Sequence, residues 1–136
     1  MGRQVLSDVL LDTHAWIWSL MDSARLRSRV KEAIRAADAV YVSPISIYEV
    51  VRKVGIGKWP EIVPNLDALL AEQQTVSAPF TRAVAARAGA LDWAHRDPFD
   101  RLIAATAIEM GWELISKDPE FDALDGVHGW RGRVWS

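Results

Sequence analysis

Short unbroken apolar runs alternate along this chain with stretches of helical period. Val9-Leu10-Leu11 reads as a short strand buried on both faces. Thr13 to Met21 reads as a helix, with Ala15, Trp16 and Leu20 among its apolar residues. From Arg25 to Ala37, Leu26, Val30, Ala33, Ile34 and Ala37 recur at the spacing of an amphipathic helix. Ala39 to Val42 is a second strand. Ser43-Pro44 then starts a helix, Ser as the cap and Pro in the first helical position. It is predicted to run to about Val54, where Gly55-Ile56-Gly57 stops it. Pro60 to Gln73 and Pro79 to Leu91 are predicted as two more helices, with a short strand near Thr75-Val76-Ser77 between them. Asp97-Pro98 opens a helix that runs to Met110, with Gly111 beyond its end. Glu113 to Ser116 is a strand, and the Gly- and Trp-rich tail from Gly126 to Trp135 is read as a last edge strand.

Strands alternating with helices indicate parallel βαβ units, hence an α/β fold with a sheet covered on both faces. Right-handed crossovers bring every strand's C-terminal end to one edge, where ligands of open α/β sheets bind. Four carboxylates fall at that edge. Asp12 and Asp118 follow strands directly; Glu49 and Asp100 reach it from the beginnings of helices. Crowded negative charge calls for a cation, so the pattern predicts a divalent metal and an enzyme that uses it.

Composition adds limits. With 136 residues, half of them apolar and 25% charged, the chain suits one globular domain over residues 1–136. No repeat, linker or low-complexity segment interrupts it. Asp8 and Asp12 break the N-terminal apolar stretch, no run is long enough to cross a bilayer, and no secretory leader pattern is present, so a cytoplasmic location is expected. The absence of cysteine excludes disulfides and thiolate metal sites. The formal net charge of −2 argues against a uniformly basic coat for nucleic acid. Yet 16 basic residues face 18 acidic ones, and without the four edge carboxylates 16 face 14, a balance of +2. A polyanionic substrate therefore stays open.

Each acid also has a structural reading. Asp12 can cap the helix at Thr13. Ser46-Ile-Tyr-Glu49 matches a capping box, and Glu49 with Lys53 forms an i,i+4 pair. Asp97 is a natural cap before Pro98, Asp100 suits the helix dipole, and Asp118-Pro119 can start a turn. Capping alone does not require all four to share one edge. Mg²⁺ and Mn²⁺ prefer oxygen ligands, and three or four carboxylates with open positions suit a metal bound together with a phosphate. Such an ion makes hydroxide available near neutral pH and stabilises charge on phosphoryl oxygens.

The strings Leu11-Asp12-Thr13-His14-Ala15-Trp16, Ser46-x-x-Glu49-x-x-x-Lys53, Asp97-Pro98-Phe99-Asp100-Arg101-Leu102-Ile103-Ala104-Ala105-Thr106-Ala107 and Ser116-Lys117-Asp118 resemble the PIN-domain ribonucleases, most of all the VapC-type toxins of toxin–antitoxin pairs. The third string is the most specific. The resemblance implies a three-layer α/β/α fold around a parallel sheet of four to five strands. It implies Mg²⁺- or Mn²⁺-dependent endonucleolytic cleavage of RNA, with Asp12, Glu49, Asp100 and Asp118 as the acidic quartet. It also implies a homodimer inhibited by a cognate antitoxin. The last string has Ser116 where the family often has Thr, which keeps the hydroxyl. Asp97 adds an acid near Asp100 and reads as a cap or supporting group.

Ser46 and Ser116 hydroxyls either orient a carboxylate or metal water, or, for Ser46, bond backbone in the first turn. Arg101 and Lys53 either meet phosphate or neutralise neighbouring acids. Lys117 contacts substrate or is solvated, and His14 and His95 are weak candidates. Arg25, Arg27, Arg29, Lys31, Arg52, Lys53 and Lys58 either flank the cleft or form solvated helix faces. Of seven tryptophans, Trp16 and Trp18 point to different helix faces, so one is expected outside the core, at an interface or stacked on a base. Trp112, Trp130 and Trp135 are expected to pack around the last strands. Two other functions compete: a receiver-like phosphoacceptor domain, which would need an Asp ending its third strand, and a catalytically silent binding module. The third strand runs into Val76-Ser77-Ala78 with no Asp.

Overall fold

A computed structural model describes residues 8–58 and 75–135. Five short strands form one all-parallel sheet in the order β3-β2-β1-β4-β5. They are β1 (Val9–Leu11), β2 (Val40–Val42), β3 (Val76–Ser77), β4 (Glu113–Ile115) and β5 (Arg133–Val134). The helices are α1 (Thr13–Leu20), α2 (Ser28–Ala36), α3 (Pro44–Gly55), α4 (Arg82–Ala90) and α5 (Pro98–Met110), followed by a 3₁₀ segment over Pro119–Leu124. The helix expected over Pro60 to Gln73 lies outside the described residues.

The period of two along each strand sorts the core into two layers. Val9 and Leu11 of β1 and Ile115 of β4 pack with Trp16, Trp18, Val30 and Val50 of α1, α2 and α3. Leu10 and Leu114 turn the other way, onto Ile103, Ala104, Ala107 and Ile108 of α5 and onto Phe121 and Leu124. Small residues let α4 approach α5 closely through Val84, Ala88 and Ala105. This is the three-layer α/β/α arrangement expected from the sequence. A receiver-type sheet runs 2-1-3-4-5; here β1 sits between β2 and β4, which excludes that alternative.

Element ends move where capping chemistry decides them. The second helix starts at Ser28 rather than Arg25, with no side-chain cap at Arg27. The helix expected from Pro79 starts at Arg82, because the Thr81 hydroxyl accepts from the Val84 N–H. Asp97 and Gly111 bound α5 as read, Gly111 in the left-handed region at φ 72°. The tail does add an edge strand, β5, parallel to β4.

One expectation fails. Trp16 and Trp18 are both core residues, 0% and 8% exposed. The sheet covers one side of α1, and Arg25, Lys117 and Trp135 close over Trp18 on the other. A helix apolar on more than one face is one buried on more than one face. Trp112 stacks on Tyr41 at 3.8 Å between ring centroids, and Trp130 packs near Phe121.

Candidate active site

Parallel register sets Leu11 opposite Ile115, so the chain leaves β1 and β4 side by side. The Asp12 N–H donates to the Ile115 carbonyl at 3.1 Å. The Asp12 side chain caps α1, accepting from the Ala15 N–H at 2.8 Å. Ser116, fully buried, links this acid to the next strand exit. Its hydroxyl bonds the Asp12 carboxylate and accepts from the Asp118 N–H at 3.0 Å. Asp118 in turn caps the 3₁₀ segment, accepting from the Glu120 N–H at 2.9 Å. The structural readings of Asp12 and Asp118 hold, and they are compatible with the site reading: capping fixes these carboxylates at the edge.

Glu49 arrives from α3. The helix is capped by Ser43, which accepts from the Ile45 N–H at 3.1 Å, so Ser46 and Glu49 form no capping box. Ser46 instead turns toward α1. Thr13 Oγ1 lies 3.0 Å from Ser46 Oγ and 2.8 Å from Glu49 Oε1. A carboxylate only accepts, so Thr13 donates to Glu49 and takes the Ser46 proton in turn. Lys53 Nζ holds the other Glu49 oxygen at 2.6 Å. Glu49 is thus a buried acid already ion-paired with its i,i+4 lysine. Thr13, the residue after Asp12, is the bridge that the sequence reading missed; its place between an edge acid and a helix start was the available signal.

Asp100 lies in the first turn of α5, where Asp97 is the cap and accepts from the Phe99 and Asp100 N–H groups at 2.8 and 3.1 Å. Its partner is His95, with Nε2 2.7 Å from Asp100 Oδ2 and Nδ1 3.9 Å from Glu120 Oε2. The Trp93 ring supports the imidazole from 4.9 Å. His95, a weak candidate from the sequence, is therefore central. It precedes the Asp97-Pro98 cap by two residues, close enough for its ring to reach the first helical turn.

Arg101 does not face the cleft as a phosphate ligand. Nε donates to the Ala88 carbonyl at 3.0 Å, Nη1 to those of Trp93 and His95 at 2.8 and 2.9 Å, and Nη2 to that of Leu91 at 2.6 Å. The guanidinium fork pins the α4–α5 connection, which has no regular backbone ladder of its own. Of the other basic candidates, Lys31 pairs with Asp22 at 2.9 Å and Arg25 stands 6.0 Å from the Trp18 ring centre.

Ligating atoms of His95, Asp100 and Asp118 all lie within 4.8 Å of one another, the one such group of three or more among the described residues. Asp12 joins them electrostatically. Burial first, and then the charges of Asp118 and Glu49, push its carboxyl up to about 6, against the pull of Ser116 and Ala15. Burial likewise pushes Asp100 up to about 6, with Asp97 and Asp12 adding to the rise and His95 opposing it. The bond to Asp100 raises His95 above its ordinary value.

This donor set suits a hard divalent ion. Asp100 and Asp118 offer oxygens across one short gap, Asp12 adds uncompensated negative charge beside them, and a carboxylate has lone pairs beyond those that its caps use. His95 Nε2 is engaged by Asp100, so in this arrangement it orients that carboxylate. Glu49 stands one hydrogen-bonded residue behind. An open cavity of about 340 Å³ adjoins the acids, lined by Asp12, His14, Trp18, Lys117, Asp118 and Pro119.

Acids at strand exits and helix starts line the C-terminal edge of a parallel sheet. The PIN domain profile matches residues 9–127, and the chain belongs to the PIN-domain family. Among its relatives is Ribonuclease VapC22 of Mycobacterium tuberculosis (strain ATCC 25618 / H37Rv), 40% identical over 117 residues, which cover 83% of this chain and 88% of that protein. Solved structures share the fold. A toxin–antitoxin complex from Klebsiella pneumoniae is 25% identical with a TM-score of 0.60, covering 93% of this chain and 96% of the other. VapBC2 from Rickettsia felis, bound to a DNA fragment from its promoter, has a TM-score of 0.70 at 17% identity, covering 95% and 99%.

Proposed function

We propose that this chain is a metal-dependent endoribonuclease that hydrolyses RNA phosphodiester bonds as the toxin of a type II toxin–antitoxin pair. The observation that carries the reading is the gathering of Asp12, Asp100 and Asp118 at one sheet edge in a chain of the PIN-domain family. The proposed acidic set is Asp12, Glu49, Asp100 and Asp118, and the proposed ion is Mg²⁺ or Mn²⁺. When bound, the ion supplies hydroxide near neutral pH and stabilises charge on the phosphoryl oxygens. Asp100 and Asp118 are the residues that would hold it. Asp12, kept in place by Ser116 and the Ala15 N–H, would add negative charge for it. His95 orients Asp100, and Thr13 ties Glu49 to the α1 start. Similarity to a VapC ribonuclease and to a toxin–antitoxin complex supports an antitoxin as partner. An RNA substrate, a homodimer, a cytoplasmic location and a single domain over residues 1–136 complete the proposal. No described helix is long and apolar enough to cross a membrane.

Cleavage of total RNA by the purified protein is expected in Mg²⁺ or Mn²⁺ and to stop in EDTA; undiminished cleavage in EDTA contradicts the proposal. The pH dependence has a definite sign. Asp12 and Asp100 hold protons up to about pH 6, and the ion must displace them. Metal affinity is expected to rise steeply as pH climbs through 6 and to level off above 7, measurable by calorimetry in two buffers of different ionisation heat. Metal-free stability moves the other way. The folded state binds more protons than the unfolded chain between about pH 4 and 6, so stability falls as pH rises across that window. A catalytically silent module would show the same proton coupling but no cleavage.

A further inference from the structure

The cavity beside the acids joins two unlike walls. Asp12 and Asp118 supply its acidic lining and Trp18 and Pro119 its apolar lining, beside the exposed His14 and Lys117. Lys117 Nζ is 5.9 Å and the Arg25 guanidinium carbon 6.0 Å from the Trp18 ring centre. The His14 and Trp135 rings approach the same indole, each with its centroid 5.8 Å away. Trp18 is thus packed on several sides, its body in the core and only an edge at the cavity, beside Lys117. An acidic side chain arriving without a cation would be repelled by Asp12 and Asp118. A nucleotide fits both walls. Its phosphate goes to the acids together with their cation, and its flat, neutral base goes to the apolar wall.

We infer that this cavity is the subsite for the nucleobase next to the scissile phosphate. The Lys117 ammonium at its rim selects a base with an acceptor-rich edge, guanine before the others. The inference rests on the nuclease reading for its phosphate position, but it assigns a specificity role to residues which that reading leaves idle. Lys117 is exposed, so Lys117→Met removes the charge and leaves the fold in place.

Two readouts separate the claims. Tryptophan emission of the Ca²⁺-loaded protein is titrated with GMP, AMP, CMP and UMP, and cut sites are mapped in a randomised RNA pool. Wild type is expected to bind GMP roughly tenfold more tightly than the pyrimidine nucleotides, and to cut beside guanine. Lys117→Met is expected to flatten both preferences about tenfold, and His14→Ala to weaken binding of all four. Equal binding of the four nucleotides, or preferences unchanged in Lys117→Met, overturns the subsite even if RNA is cut. Discrimination among nucleotides that Lys117→Met abolishes, in a protein that cuts no RNA, supports the subsite and rejects the nuclease.

Discussion

Asp12→Asn is expected to abolish cleavage and to make the metal-free protein more stable. The two effects have one cause. Asp12 is 6% exposed, and burial with neighbouring negative charge pushes its carboxyl up to about 6. Holding it ionised at pH 7.5 therefore costs on the order of 3 kcal/mol. Asparagine keeps an oxygen to accept from the Ala15 N–H and removes the charge. The melting temperature without metal should rise by several degrees. Cleavage should fall by at least about 10²-fold, the scale of losing one electrostatic stabiliser from a preorganised site. The Tm gain on adding Mn²⁺ should shrink as well. If Asp12 were only a helix cap, Asp12→Asn would cut RNA at the wild-type rate.

Arg101→Met is expected to be the most damaging single change outside the acids. The guanidinium donates to four main-chain carbonyls, of Ala88, Leu91, Trp93 and His95. Those oxygens lose their partners, while methionine keeps only the aliphatic packing. Charge-assisted bonds of this kind each contribute about 1.5–3 kcal/mol, and they overlap, so a loss of about 3 kcal/mol or more is expected. That corresponds to a fall in melting temperature of roughly 10 °C. Arg101→Lys should restore little, since an ammonium cannot reach four carbonyls in a fixed fork. Activity should fall further than stability explains, because the same segment carries His95 and the Asp97 cap. A variant with wild-type melting and cleavage would show that the segment holds itself.

These two residues mark where sequence reading succeeded and where it stopped. Asp12 was legible because a buried strand ends at it and topology sends strand ends to one edge. Capping does not compete with the proposed site; it places the acids there, as with Asp97, Asp118 and the bond from Ala15. Arg101 was not legible. Its neighbour Asp100 made phosphate or charge neutralisation the natural partners, yet its fork reaches back to carbonyls 6 to 13 residues earlier, contacts that only the folded α4–α5 connection creates. Thr13 and His95 escaped for a similar reason: one bridges to Glu49 across 36 positions, and the other depends on how the segment before α5 turns. Trp18 was misjudged because helical period tells which faces are apolar, not how many neighbours cover them. The Pro60 to Gln73 prediction falls outside the described residues. The strand order, which excludes the receiver-like alternative, follows from pairing across long separations that no local pattern records.

The proposed metal site is open to a direct observation. Crystals grown with Mn²⁺ and measured near the manganese absorption edge should show anomalous density in the gap between Asp100 and Asp118, about 2.1 Å from an oxygen of each. Manganese bound only elsewhere, or absent from that gap at saturating concentration, would contradict a metal-dependent nuclease centre on this sheet edge.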